Sequence, residues 1–142
     1  SPADAPLLLI AGGSGLAPII ALLEDALAHG VQRPVSLLFG AREERDLYAL
    51  DSISAIAAQW RAPFRFLPVL SNANSDATWS GARGLVTSQL PALLEPGAHA
   101  YLCGPPAMID SAVALLRDHG VPREQIHADR FTTQQDTLAA SA

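Results

Sequence analysis

The sequence predicts an α/β domain built on a doubly wound sheet of five parallel strands, with helices on both faces. Three observations predict it. Four short apolar runs, followed by a more polar fifth from Ile126, lack the polar alternation of a half-solvated strand, so those four are expected to be covered on both sides. Segments with helical spacing stand between the runs, the alternation that builds a parallel sheet. Glycines mark the carboxyl ends of the first, second and fourth runs, where open α/β sheets hold their ligands.

The first strand is Leu7-Leu8-Leu9-Ile10-Ala11, ending in glycines. From Pro18 to about His29, Ile19, Ile20, Leu22, Leu23 and Leu27 follow helical spacing, and Gly30 stops the helix. Val35 to Phe39 is the second strand, closed by Gly40. Leu47 to about Trp60 is the second helix, with Leu47, Leu50, Ile53, Ile56 and Ala57 on one face. Pro63 breaks it, and Phe64 to Leu70 makes the third strand. Ser71 to Gly84 is polar, rich in Asn, Ser and Asp, and reads as a long functional loop. A short helix over Val86 to Leu94, a fourth strand over His99 to Cys103, a helix from Pro106 to about His119 and a fifth strand from Ile126 to about Phe131 complete the pattern. Right-handed crossovers order the strands 3-2-1-4-5 in a Rossmann-like sheet. The segments after Ala11, Phe39, Leu70 and Cys103 then surround one crevice.

For 142 residues one domain is the expectation. Residues 1–6 read as the remnant of an interdomain linker, 7–131 as the folded domain and 132–142 as a flexible tail. The start lacks an initiator methionine, a basic region and a signal-peptide core, so the chain reads as a fragment of a longer cytoplasmic protein. A hydrophobic content of 49% against 16% charged residues excludes disorder and a coiled coil. The nine cations are all arginine, which removes a lysine-dependent phosphate loop, a Schiff-base lysine and a lysine-rich nucleic-acid patch. The net charge of −5 is ordinary for solubility, and no nucleic acid is expected as a partner. No apolar stretch approaches the ~20 residues that span a bilayer, so no membrane is expected either. The single cysteine, Cys103, allows no internal disulfide, and no Cys/His spacing suits a structural zinc or any other metal.

Gly12-Gly13-Ser14-Gly15-Leu16-Ala17-Pro18 joins the first strand to the first helix. Glycines let the backbone turn tightly and approach a ligand with no Cβ in the way. The helix that follows offers free N–H groups and a positive dipole end, which suit a pyrophosphate. Pro18 fits a first helical turn, and Ser14 can donate a hydroxyl. A turn of permissive residues with no ligand is the plain alternative. The spacing departs from the orthodox dinucleotide fingerprint twice. Pro18 stands in place of a third glycine, and the acidic residues Glu43 and Glu44 come late after the second strand.

Those departures suit one family. Gly12 to Pro18, then Phe39-Gly40-Ala41-Arg42 with Asp46-Leu47-Tyr48 behind it, then Cys103-Gly104-Pro105-Pro106-Ala107-Met108, together resemble the ferredoxin–NADP reductase superfamily. The resemblance is to its pyridine-nucleotide-binding domain and runs from about Leu7 to Phe131. It looks closest to the NADH-dependent reductase components of bacterial multicomponent oxygenases, of the soluble methane monooxygenase and phenol hydroxylase type. Trp79 with Gly81, Gly84, Leu85 and Val86, and the terminal Asp129-Arg130-Phe131, add to it.

The resemblance implies an NAD(H)-binding domain in which Gly12, Gly13, Ser14, Gly15, Leu16, Ala17 and Pro18 hold the pyrophosphate and nicotinamide ribose. Cys103, Gly104, Pro105, Pro106 and Met108 then lie beside the nicotinamide, with Ser14 and Cys103 flanking the reacting ring as the catalytic pair. It implies FAD in the parent protein, held mainly by a separate β-barrel domain, and a 2Fe-2S cluster in a ferredoxin-type domain. This chain has no flavin signature and no four-cysteine loop. The implied reaction is hydride transfer from NADH to the flavin, with electrons passed on through the cluster to the hydroxylase component of an oxygenase. The isolated domain is expected to be inactive. NADPH-using members place an arginine after a serine at the end of the third strand. Ser71-Asn72 stands here, which implies NADH with its free ribose hydroxyls. Arg42 and Arg83 lie near the same rim, but Glu43 and Glu44 would repel an added phosphate.

Several residues keep two readings. Cys103 is a small buried hydrophobe or part of the nicotinamide wall, and no histidine pairs with it as a nucleophile's base would. Asp46 is an N-cap or a partner for adenine or ribose. Met108 packs its turn or touches the nucleotide; Trp79 is a packing anchor or a stacker; Trp60 belongs to the core or its rim. Phe131 can cover the flavin edge in an intact protein. His29, His119 and His127 read as solvated or capping. The competing reading of the whole is a stand-alone nucleotide-binding or partner-docking module without redox turnover. A short dehydrogenase would want a Tyr and Lys four apart, and there is no lysine.

Overall fold

The computed structural model describes residues 5–12, 16–41, 50–70, 82–83 and 86–130. In chain order these form β1 (Leu7–Gly12), α1 (Leu16–Ala28), β2 (Val35–Ala41), α2 (Leu50–Gln59), β3 (Phe64–Leu70), β4 (Ala82–Arg83), α3 (Val86–Leu93), β5 (His99–Gly104), α4 (Pro106–Asp118), a 3-10 turn (Arg123–Gln125) and β6 (Ile126–Arg130). The strands pair in the order β4-β3-β2-β1-β5-β6, every neighbour parallel. The five longer strands therefore stand in the expected 3-2-1-4-5 order.

The expected strand count needs one correction. Ala82–Arg83, inside the stretch read as a loop, adds a sixth strand of two residues beside Val69–Leu70. No apolar run announces it, because it answers the unpaired backbone groups along the edge of β3. Strand ends also run slightly further than the apolar runs do. The ladders take in Gly12, Gly40, Ala41 and Gly104, since backbone pairing does not require a side chain.

Alternate residues of the central strands build two cores. Leu7, Leu9 and Ala11 pack with Val35, Leu37 and Phe39 of β2 and with Leu16, Ile19 and Leu23 of α1 and Ile53 and Ile56 of α2. Leu8 and Ile10 pack on the other face with Leu38, Leu102, Leu90 of α3, and Ile109, Ala112 and Leu116 of α4. Each such leucine or isoleucine removed from water contributes roughly 1.5–3 kcal/mol, which explains runs with no polar alternation. Trp60 belongs to the first core, with its ring edge against Phe64 at 5.9 Å.

Prolines organise the amino edge of the sheet. Pro6, Pro34 and Pro63 immediately precede β1, β2 and β3. Each offers a carbonyl but no N–H, and a neighbouring strand's first amide uses it: His99 N to Pro6 O (2.9 Å), Leu7 N to Pro34 O (2.7 Å) and Val35 N to Pro63 O (2.9 Å). Two side chains tie the same edge. Arg33 Nε donates to the Ala5 carbonyl at 2.6 Å, and Trp60 Nε1 to the Arg33 carbonyl at 2.7 Å. At the opposite, carboxyl edge the strands carry Gly12, Gly40 and Gly104. Among the described residues no helix is long and apolar enough to cross a membrane, and no His, Cys, Asp and Glu cluster could hold a metal ion.

Candidate functional site

From β1 the chain runs outward through β2 and β3, then returns to β5 and β6 on the other side of β1. The strand order therefore switches between β1 and β5, and that carboxyl-edge crevice is where ligands sit on such sheets. Three neighbouring strands place a glycine there. Gly12 of β1 is level with Gly40 of β2, and Gly104 of β5 follows the Ala11–Cys103 pair by one residue.

The closeness of two of these glycines is the central geometric fact. A Cβ added to Gly104 would lie 3.2 Å from both the amide nitrogen and the carbonyl oxygen of Gly12, and 2.8 Å from Met108 Cε. A Cβ added to Gly12 would fall on the Met108 sulfur and lie 3.3 Å from Pro105 Cδ. Both are buried, and neither φ is positive, so the glycines answer close approach rather than a left-handed turn. The result is a close-packed backbone seam at the switch point, with the Met108 thioether in the space that the two missing side chains leave.

Helix geometry reinforces it. Pro105 is the N-cap of α4 and Pro106 its first residue, with no side-chain cap; the first described bond of the turn runs from Ile109 N to Pro105 O at 3.1 Å. Prolines suit these positions because their missing N–H would be unpaired anyway. On α1, Ala17 and Pro18 are exposed in the first turn, while Leu16 is fully buried, so its side chain serves the core.

Cys103 is the last residue but one of β5, beside the seam, and is 8% exposed. Opposite it on β6 stands Asp129, and opposite Tyr101 stands His127. Burial first, and the Asp129 carboxylate second, push the Cys103 thiol above its ordinary value, so at neutral pH it is a thiol and not a thiolate nucleophile. Tyr101 and His127 stack at 4.8 Å with their planes 19° apart. With Pro18, Ile19 and Leu22 of α1, these side chains line a groove of about 300 Å³ running up to Cys103. Tyr101, His127 and Asp129 were not among the expected site residues. Their signal was present as period-two spacing on two runs, but only the β5–β6 register shows that they share a face.

Of the expected residues, the structure brings together Gly12, Cys103, Gly104, Pro105 and Met108, with Pro18 nearby at the groove. Gly13, Ser14, Gly15, Arg42, Asp46, Ser71, Asn72, Trp79 and Phe131 lie outside the described residues. His29 and His119 cap their own helices, their Nδ1 atoms donating to Asp25 O (2.8 Å) and Leu115 O (2.9 Å).

The fold is that of a doubly wound, dinucleotide-type α/β domain, with its strand order switching between β1 and β5. Residues 9–114 match the family described as Oxidoreductase NAD-binding domain, and the chain belongs to that family. It is 44% identical over 129 residues to the xylene/toluene monooxygenase electron transfer component of Pseudomonas putida, covering 90% of this chain and 37% of that protein. It is 36% identical to the reductase component of phenol 2-monooxygenase from Pseudomonas sp. (strain CF600), covering 96% and 39%. Among solved structures, it matches an Amycolatopsis cytochrome P450 reductase with a TM-score of 0.76 and 34% identity, covering 92% of this chain and 38% of that one. The chain thus spans well under half the length of these relatives. Their names place this kind of domain in reductase components of oxygenase systems.

Proposed function

We propose that this chain is the NADH-holding part of a flavin-dependent reductase that supplies electrons to an oxygenase. The observation that carries the reading is the seam of Gly12 and Gly104 at the switch point, in a chain of the NAD-binding family. When bound, NADH supplies a hydride to the ring of an FAD held mainly by a separate β-barrel domain, from which single electrons leave through a 2Fe-2S centre towards a hydroxylase component.

The chain's own task is placement. Hydride transfer needs no general acid or base; it needs donor and acceptor carbons and nitrogens at ~3–3.5 Å with aligned orbitals. Gly12 and Gly104 let the two strand ends come close together beside the pyridine ring, and Pro105 and Pro106 keep that backbone stiff. Cys103, held as a neutral thiol, borders the ring without competing as a nucleophile. Ser14, with Gly13 and Gly15, holds the ribose and pyrophosphate, with the α1 amino end favouring negative charge. Ser71 and Asn72 bond free ribose hydroxyls, and Asp46 and Arg42 border the adenosine half. Phe131 covers the flavin edge in the intact reductase.

Titrating the chain with NADH while recording amide shifts tests this. Perturbation is expected within Gly12–Pro18 and Cys103–Met108, and none from FMN alone. NADH binding without response in either segment would reject the placement. In the intact reductase a higher kcat/KM for NADPH than for NADH would overturn the choice of coenzyme.

A further inference from the structure

Met108 is the only methionine in the chain and stands in the first turn of α4, half-buried. Its thioether occupies the space that the missing Cβ atoms of both Gly12 and Gly104 leave. The sulfur lies where a Gly12 Cβ would be, and Cε lies 2.8 Å from where a Gly104 Cβ would be. One side chain from one helix therefore touches the carboxyl ends of two strands at the point where their order switches. It also packs against the second core, to which Ile109, Ala112 and Leu116 of the same helix belong.

We infer that Met108 is a positioning residue that sets the spacing of the Gly12 and Gly104 strand ends and so shapes the pyridine-nucleotide crevice between them. This rests on the nucleotide-binding reading above, although the spacing itself can be read without any ligand. The physical reason is that a seam of glycines has no side chains of its own to resist closure or spreading. An unbranched, polarisable thioether fills such an irregular gap without imposing a rigid shape. Leucine has nearly the same volume and can substitute, whereas alanine leaves the two strand ends unsupported. A displacement there of even one ångström matters to ring placement.

The test compares the chain with its Met108→Leu, Met108→Ala and Val113→Ala variants by amide spectra without ligand and by NADH affinity. Val113 lies on the same helix and packs on the same core, away from the glycines. Met108→Ala is expected to shift the Gly12 and Gly104 amides and weaken NADH binding about tenfold, with Met108→Leu within about twofold of the parent. Val113→Ala lowers the melting temperature and leaves both readouts in place, which separates positioning from general loss of stability. Should Met108→Ala fail to fold, oxidising Met108 in the folded chain with hydrogen peroxide, which adds one oxygen to the sulfur and releases water, reads the same point. The sulfoxide is expected to move both glycine amides and weaken NADH binding, and methionine sulfoxide reductase to reverse both effects. Unmoved glycine amides with unchanged NADH affinity in the alanine variant or the sulfoxide, or a leucine variant no better than alanine, would overturn the inference. Failure of the parent chain to bind NADH would reject the proposed function, and the ligand-free amide shifts would still decide what Met108 does.

Discussion

Gly104 and Cys103 are neighbours with opposite demands. Gly104 must lack a side chain, because any Cβ meets the Gly12 backbone at 3.2 Å and the end of Met108 at 2.8 Å. Gly104→Ala is therefore expected to cost about 1–3 kcal/mol, as overpacking does, with a lower melting temperature and weakened NADH binding together. Cys103 must keep its proton. Its folded pKa is raised by burial and then by Asp129, so folding favours the neutral thiol. Stability from this group is complete below the ordinary cysteine value and is lost as pH rises through the raised one. Urea unfolding at increasing alkaline pH should show a decline that Cys103→Ala flattens. Asp129→Asn removes the smaller cause, and alkylation of Cys103 by iodoacetamide at a fixed neutral pH should accelerate. An unchanged rate would remove Asp129 from the account.

Element by element, most of the fold was legible because apolar spacing directly reports burial. The runs at Leu7, Val35, Phe64 and His99 became strands, and the 3.6-residue spacing of Ile109, Val113 and Leu116 became a helix face. What was not legible was pairing without side-chain signature. Ala82–Arg83 became a strand only because β3 offers it an edge. The stitching of the amino edge was equally hidden, although its prolines stood in plain view. Trp60→Phe removes the indole donor to the Arg33 carbonyl while keeping an aromatic ring against Phe64, and should cost about 1–2 kcal/mol in denaturant unfolding. Glu95→Gln, which breaks an exposed pair with Arg65 at 3.2 Å, should cost less than about 1 kcal/mol. Equal effects would contradict the distinction between a part-buried strand tie and a solvated ion pair.

At the scale of the molecule, a domain that only places a coenzyme has no turnover of its own. The chain is expected to bind NADH yet reduce no electron acceptor, and to gain NADH-dependent acceptor reduction when joined to a flavin-loaded β-barrel domain. Measurable reductase activity of the chain alone would contradict that division of labour. The candidate site divides in the same way. Its glycine and Cys-Gly-Pro-Pro segments were readable as local motifs, whereas the groove shared by Tyr101, His127 and Asp129 arises between segments that sit far apart along the chain.

Sequence alone determined the layer architecture and the order of the five longer strands, and it marked the two glycine-bearing segments of the candidate site, because hydrophobic period and glycine placement act over a few residues. Only the tertiary structure decided that Gly12 and Gly104 touch, that one methionine serves both, and that Asp129 faces Cys103. Those contacts depend on strand register and on how a helix seats its first turn, which are set by the packing of the whole sheet and not by any short stretch of chain.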